Sequence, residues 1–170
     1  GATCYLNSLL QTLFMTPELR LGLYDWKYNP LVYEAVEKCI PAQLQRLFVN
    51  LQTSDLRAIE TDALTKSFGW TGMQAFEQQD VEEMSKILFD ALEMKFKDTP
   101  QAGLVESLYT GEVEDYVRCK VCGNKSARTD AFTDLKITVR PFGETESITS
   151  LEEGLQKYFQ PELLEGANQY

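Results

Sequence analysis

The spacing of apolar residues changes once along this chain, and that change limits the folds open to it. Up to about residue 108, apolar side chains recur at steps of three and four, the period of an amphipathic helix. Leu6, Leu9, Leu10, Leu13 and Phe14 form the first run, and Leu44, Leu47, Phe48 and Leu51 form another. Val81, Met84, Ile87, Leu88, Ala91 and Leu92 make the longest, expected to span about Glu77 to Phe96. Beyond residue 109 the period falls to two. Val113 and Val117 alternate with Glu114 and Tyr116 up to Cys119. Leu135, Ile137 and Val139 alternate with Lys136, Thr138 and Arg140 before Pro141. These two stretches predict two strands. A helical part followed by a part containing strands gives an α+β fold.

Local signals set the element ends. Thr3 is placed to cap a first helix that Pro17 stops. From Thr16 to Lys38 the pattern is mixed and reads as a short helical turn followed by a variable loop. Pro41 suits the first turn of a helix ending near Thr53. Thr61 opens a short helix that carries Leu64 and Phe68 and stops at Gly69. Thr99-Pro100 ends the long helix, and Leu104–Tyr109 reads as one more short helix. Ser150 and Glu153 form a capping box for an amphipathic helix through Leu151, Leu155, Tyr158 and Phe159, ended by Pro161.

The 170 residues are enough for one domain or two small subdomains with a buried core. With 16 basic against 26 acidic residues, the net charge is −10. That balance argues against general nucleic-acid binding and suits a basic partner, or simply a solvated acidic surface. No apolar run approaches membrane-spanning length, so no membrane partner is expected. Two of the four cysteines lie three residues apart, a spacing closer to metal or thiol chemistry than to a secreted disulfide framework. A reducing compartment is expected, cytoplasmic or nuclear.

Three places could carry chemistry. Cys4 falls in the first turn of a helix, where unpaired N–H groups and the dipole favour negative charge. A thiolate nucleophile and a buried core cysteine both fit there. Gln78-Gln79-Asp80 opens the long helix, either as an ordinary acidic helix start or as a carboxylate held to bind an arginine. Cys119-Lys120-Val121-Cys122-Gly123 is a tight knuckle between two arms. It reads as half of a zinc site, a redox pair or a reduced pair that binds nothing. Cys39 stands alone and is expected to be structural. The chain contains no histidine, so a Cys–His hydrolase cannot be completed from these residues.

The three places together resemble one family. Gly1-Ala2-Thr3-Cys4-Tyr5-Leu6-Asn7-Ser8-Leu9-Leu10-Gln11 is similar to the cysteine box of the ubiquitin-specific proteases, a family of deubiquitinases. Gln78-Gln79-Asp80 resembles the family's Gln-Gln-Asp segment, and Cys119–Gly123 its first zinc-ribbon pair. The segments around Pro41–Gln52 and Ser67–Trp70 resemble the branch that includes the herpesvirus-associated enzyme. The resemblance implies a papain-like cysteine protease fold, with a helical thumb over residues 1–108 and the start of the β fingers over 109–170. It implies that Cys4 is the nucleophile, attacking the carbonyl of ubiquitin's C-terminal glycine to form a thioester. Gln78 and Asp80 would contact the arginine-containing tail of ubiquitin. Cys119 and Cys122 would hold structural zinc with a second cysteine pair outside this chain, and no cofactor would take part in catalysis. Ubiquitin and ubiquitinated proteins would be the partners.

The family's catalytic histidine and its Asp or Asn partner have no match here, nor has the Asn upstream of the cysteine box. The expectation is therefore an incomplete catalytic domain, inactive alone, from a parent thiol-dependent deubiquitinase. A ubiquitin-binding or scaffold homologue without activity is the alternative, and a zinc-ribbon module with an incidental helical domain a third reading. Apolar faces such as Leu9/Leu13 and Leu88/Leu92 are expected to lack full cover, favouring aggregation.

Overall fold

A computed structural model describes residues 4–69, 80–140, 142–143, 145–166 and 169 of the chain. By packing the chain divides into two compact units, Gly1–Ala131 and Phe132–Tyr170.

The first unit is built on helices α1 (Cys4–Phe14), α2 (Pro17–Asp25), α3 (Ile40–Thr53), α4 (Asp62–Ser67), α5 (Val81–Phe96) and α6 (Leu104–Tyr109). A single 3₁₀ turn, Val36–Lys38, leads into α3. α3 packs against α2, α4 and α5, α1 against α2 and α5, and α6 against α2 and α5. Their inward residues form one core, with Leu6, Leu13, Leu19, Leu23, Leu44 and Phe48 essentially free of solvent. On α5 the buried positions are Met84, Leu88, Leu92 and Phe96, steps of four along one line of the helix. Val81 and Ile87, read from sequence as members of the same stripe, lie on its flanks and are exposed. Leu88 and Leu92 are fully covered within the first unit, and so is Leu13; the expected lack of cover is not seen there.

α2 is longer than the sequence pattern predicts. It runs nine residues because Pro17 sits in its first turn, where a missing N–H costs nothing, and Leu19 and Leu23 bury one face. The aromatic stretch after it is packed rather than loose. Trp26 is 1% exposed, and its ring lies 5.3 Å from Tyr33 and 6.1 Å from Phe96. Gln45 fixes the end of α2 by donating from Nε2 to the carbonyls of Leu23 (2.7 Å) and Trp26 (2.9 Å). Cys39 is buried at the N-cap of α3, and burial pushes its thiol pKa up.

After α6 come two hydrogen-bonded strands, β1 (Gly111–Arg118) and β2 (Lys125–Phe132), joined by residues 119–124. The first expected strand is found. The second is not where the alternation placed it: residues 133–140 are not in a strand, and β2 lies earlier. The reason is chemical. Lys125-Ser126-Ala127-Arg128-Thr129-Asp130 buries neither face, so it carries no period-two apolar signal. Backbone pairing and ion pairs such as Arg128–Asp115 (3.2 Å) and Lys125–Glu114 link the strands instead.

The second unit holds α7 (Leu151–Tyr158). The Ser150 side chain accepts from the Glu153 N–H at 3.2 Å, as the capping box requires. The Glu153 carboxylate accepts from the backbone N–H and hydroxyl of Thr149, both at 3.0 Å. The alternating residues find their use here: Ile137 packs on Gly154 of α7, and the Ile148 N–H donates to the Val139 carbonyl at 2.7 Å. Among the described residues no helix is long and apolar enough to cross a membrane.

Candidate active site

Cys4 is the first residue of α1 and is exposed, while its neighbours Tyr5 and Leu6 are buried with Leu10 and Leu13. A helix turns 100° per residue, so anchoring 6, 10 and 13 leaves position 4 about 150° round the axis, on the side away from the core. The core therefore fixes where the thiol is offered without enclosing it. The Ser8 hydroxyl donates to the Cys4 carbonyl at 2.9 Å, closing the first turn. The Tyr5 phenol pKa is raised, first by burial and then by the neighbouring Cys4. Thr3, the expected cap, lies outside the described residues.

Asp80 stands at the start of α5, the helix against which α1 packs. Its Oδ1 accepts from the Glu82 N–H at 2.9 Å, with the backbone extended at φ −71° and ψ 130°, so Asp80 is the N-cap. The described helix opens at Val81. Gln78 and Gln79, like Glu77, lie outside the described residues. Asp80 with Glu83 three residues on is a capping signal present in the sequence, and it marks the helix start more closely than the apolar period does. The Asp80 carboxylate is on an exposed residue and uses one oxygen for its own helix. No hydrogen bond joins the Cys4 and Asp80 side chains; what brings them into one unit is the packing of α1 on α5.

Cys119 and Cys122 lie at the turn of the β1–β2 hairpin, both exposed. The Cys119 N–H donates to Asn124 (2.8 Å) and the Gly123 N–H to Cys119 (2.9 Å), while Gly123 takes φ +74°, a conformation glycine adopts without strain. Backbone N–H groups of Cys122 and Val121, then the Cys122 thiol, hydrogen-bond to the Cys119 sulfur and lower its pKa. A turn that aims N–H groups at a sulfur favours the thiolate that a metal needs. Two thiolates are half of a tetrahedral site, and among the described residues no group of three or more ligating side chains is assembled.

These elements occur in the order of a known family. The sequence matches the ubiquitin carboxyl-terminal hydrolase family over residues 1–160, and the chain belongs to that family. It is 54% identical over 168 residues to ubiquitin carboxyl-terminal hydrolase 47 of Xenopus tropicalis and 52% identical to that of Homo sapiens, in each case over 99% of this chain. Ubiquitin carboxyl-terminal hydrolase 15 of Saccharomyces cerevisiae is 39% identical over the whole chain. The chain spans 12 to 13% of the length of these relatives.

Proposed function

We propose that this chain is the part of a deubiquitinase catalytic domain that supplies the nucleophile and one wall of the groove for ubiquitin's C-terminal tail. The observation that carries this reading is the exposure of Cys4 at the first turn of a helix whose next residues are locked in the core. In the parent protein the Cys4 thiolate attacks the carbonyl of ubiquitin's last glycine. The C–N bond of the isopeptide breaks, and water hydrolyses the thioester. N–H groups at the α1 start are suited to the oxyanion. Asp80, with one oxygen on its own helix, has the other for an arginine of the tail, and Gln78 is the neighbouring contact.

The fold of the complete domain is papain-like, with residues 1–108 as thumb and 109–170 as the start of the fingers. Cys119 and Cys122 would hold structural zinc together with a second cysteine pair; zinc would brace the hairpin tip and take no part in the reaction. Ubiquitin and ubiquitinated proteins are the partners, in the cytoplasm or nucleus. Without a histidine this polypeptide has no general base for the thiol.

Labelling the full-length parent with a ubiquitin C-terminal electrophile tests the reading. An adduct on Cys4, absent in Cys4→Ala, is expected. Folded parent that binds ubiquitin but gives no adduct would identify a non-catalytic binder. Turnover of ubiquitin-aminomethylcoumarin by this polypeptide alone would falsify the need for an outside base.

A further inference from the structure

Cys119 and Cys122 hold out two sulfurs and find no third ligand. All four cysteines are described, and among the described residues no three metal-binding side chains come together. Cys39 is buried in the helical core and Cys4 stands at the start of α1, so neither completes the pair. Structural zinc is almost always held by four ligands in a tetrahedron. This chain supplies half of them, and the other two thiolates have to come from a second molecule.

The hairpin is shaped to meet such a molecule end-on. Residues 114–118 of β1 and 125–131 of β2 are exposed, as are residues 119–124 between them, so the tip is not packed against the rest of its unit. Its own backbone bonds hold the turn, from the Cys119 N–H to the Asn124 carbonyl and from the Gly123 N–H to the Cys119 carbonyl. Val121, between the two cysteines, is 97% exposed and would gain apolar cover from a facing tip. A second copy of this chain carries the same turn. Two copies related by a two-fold axis through the metal bring four equivalent sulfurs, an isologous contact that closes.

Charge makes the contact depend on the metal. Residues 118–126 contain Arg118, Lys120 and Lys125 and no acidic residue. The next acids along the two strands, Glu114, Asp115 and Asp130, are ion-paired to Lys125 and Arg128. Two bare tips therefore face each other with like charge and repel. Zinc with four thiolates is a doubly negative group, and Arg118 and Lys120 from both copies then surround an opposite charge.

We propose that one zinc ion joins two copies of this chain through Cys119 and Cys122 of each. The inference rests on the zinc reading given above. In the parent, the second cysteine pair proposed there would take the place of the partner's. Each thiol gives its proton to solvent as its bond to zinc forms. The test titrates zinc into the metal-free chain, kept reduced with a phosphine, while sedimentation velocity and metal analysis follow it. A monomer without zinc is expected, becoming a dimer that holds one zinc per two chains and reverts on addition of EDTA. Cobalt(II) in place of zinc should give the absorption of a tetrahedral four-sulfur site. Cys122→Ser, at an exposed turn position, should stay monomeric with circular dichroism unchanged, whereas Cys4→Ser should dimerise like the original chain. Lys120→Glu should weaken the zinc-dependent dimer about two- to fivefold, the worth of an exposed charge pair. One zinc on each monomer would overturn the sharing and leave the zinc reading standing. A dimer that survives EDTA or Cys122→Ser would also overturn the sharing. No zinc uptake at all would overturn both.

Discussion

The carboxylate of Asp80 holds the backbone N–H of Glu82 at 2.9 Å, so the residue proposed to greet the substrate also starts the helix beneath it. Replacing Asp80 therefore changes two things that must be separated. Asp80→Ala removes the cap and should cost about 1 kcal/mol of stability in urea melts, whereas Asp80→Asn, an equally good cap, should cost a few tenths. On the substrate-binding role proposed for it, Asp80→Asn in the parent protein should raise KM for ubiquitin substrates with the fold intact. Equal stability of the two variants would show that the cap is not made in solution.

Gly154 and Gly22 are both helical and both tightly packed, with opposite expected outcomes. A methyl at Gly154 would meet Cγ2 of Ile137, a β-branched side chain with little freedom to move. Gly154→Ala should destabilise the second unit by about 1–3 kcal/mol despite the better helix propensity of alanine. At Gly22 the obstacle is the free end of Leu104, which can turn away, so Gly22→Ala should be near neutral. Hydrogen exchange of α7 and of α2 amides reads the two effects separately.

On α5 the burial pattern separates two neighbours of similar chemistry. Leu88→Ala empties a fully buried site and should cost about 2–5 kcal/mol. Ile87→Ala, at a 39% exposed position, should cost about 1 kcal/mol or less by chemical denaturation.

Glu153 ties α7 to pH. Hydrogen bonds from the Thr149 backbone N–H, then from its hydroxyl, hold the carboxyl below its ordinary value of 4.5, with Lys157 adding to the effect. A group with a depressed folded pKa binds its proton more readily when unfolded. Its stabilising effect is complete above about pH 4.5 and is lost as pH falls through the lower, folded value. Protection of α7 amides should decline over that range, and Glu153→Gln should flatten the decline.

Iodoacetamide should find three of the four cysteines in the folded chain. Cys4, Cys119 and Cys122 are exposed; Cys39 is buried with a raised pKa and should react only after denaturant is added. Mass spectrometry of tryptic peptides with and without urea gives the answer. Early modification of Cys39 would mean that α3 opens at its start.

What could be read from the sequence follows from how each element is stabilised. Helices α1, α3 and α5 bury one stripe, so their period was visible; β1 was visible from the alternation of Val113 and Val117 with Glu114 and Tyr116, although only Gly111 and Val113 are half-buried. β2 was not, because cross-strand charges and backbone bonds hold it and leave no apolar trace. The Trp26–Tyr33 cluster was hidden for the reverse reason: its aromatic rings meet across a loop, at no fixed spacing. Asp80 was visible as an acid at a helix start. Its use as the cap itself appears only when the apolar period is set aside and Asp80–Glu83 is taken as the opening signal.

The exposed Cys4 sulfur contributes little to the core that Tyr5, Leu6, Leu10 and Leu13 form, so exchanging it leaves the scaffold almost as stable as before. With Cys4 as the proposed nucleophile, chemistry and architecture rest on different residues of the same helix. One substitution at position 4 would then remove the proposed chemistry and leave the folded unit in place.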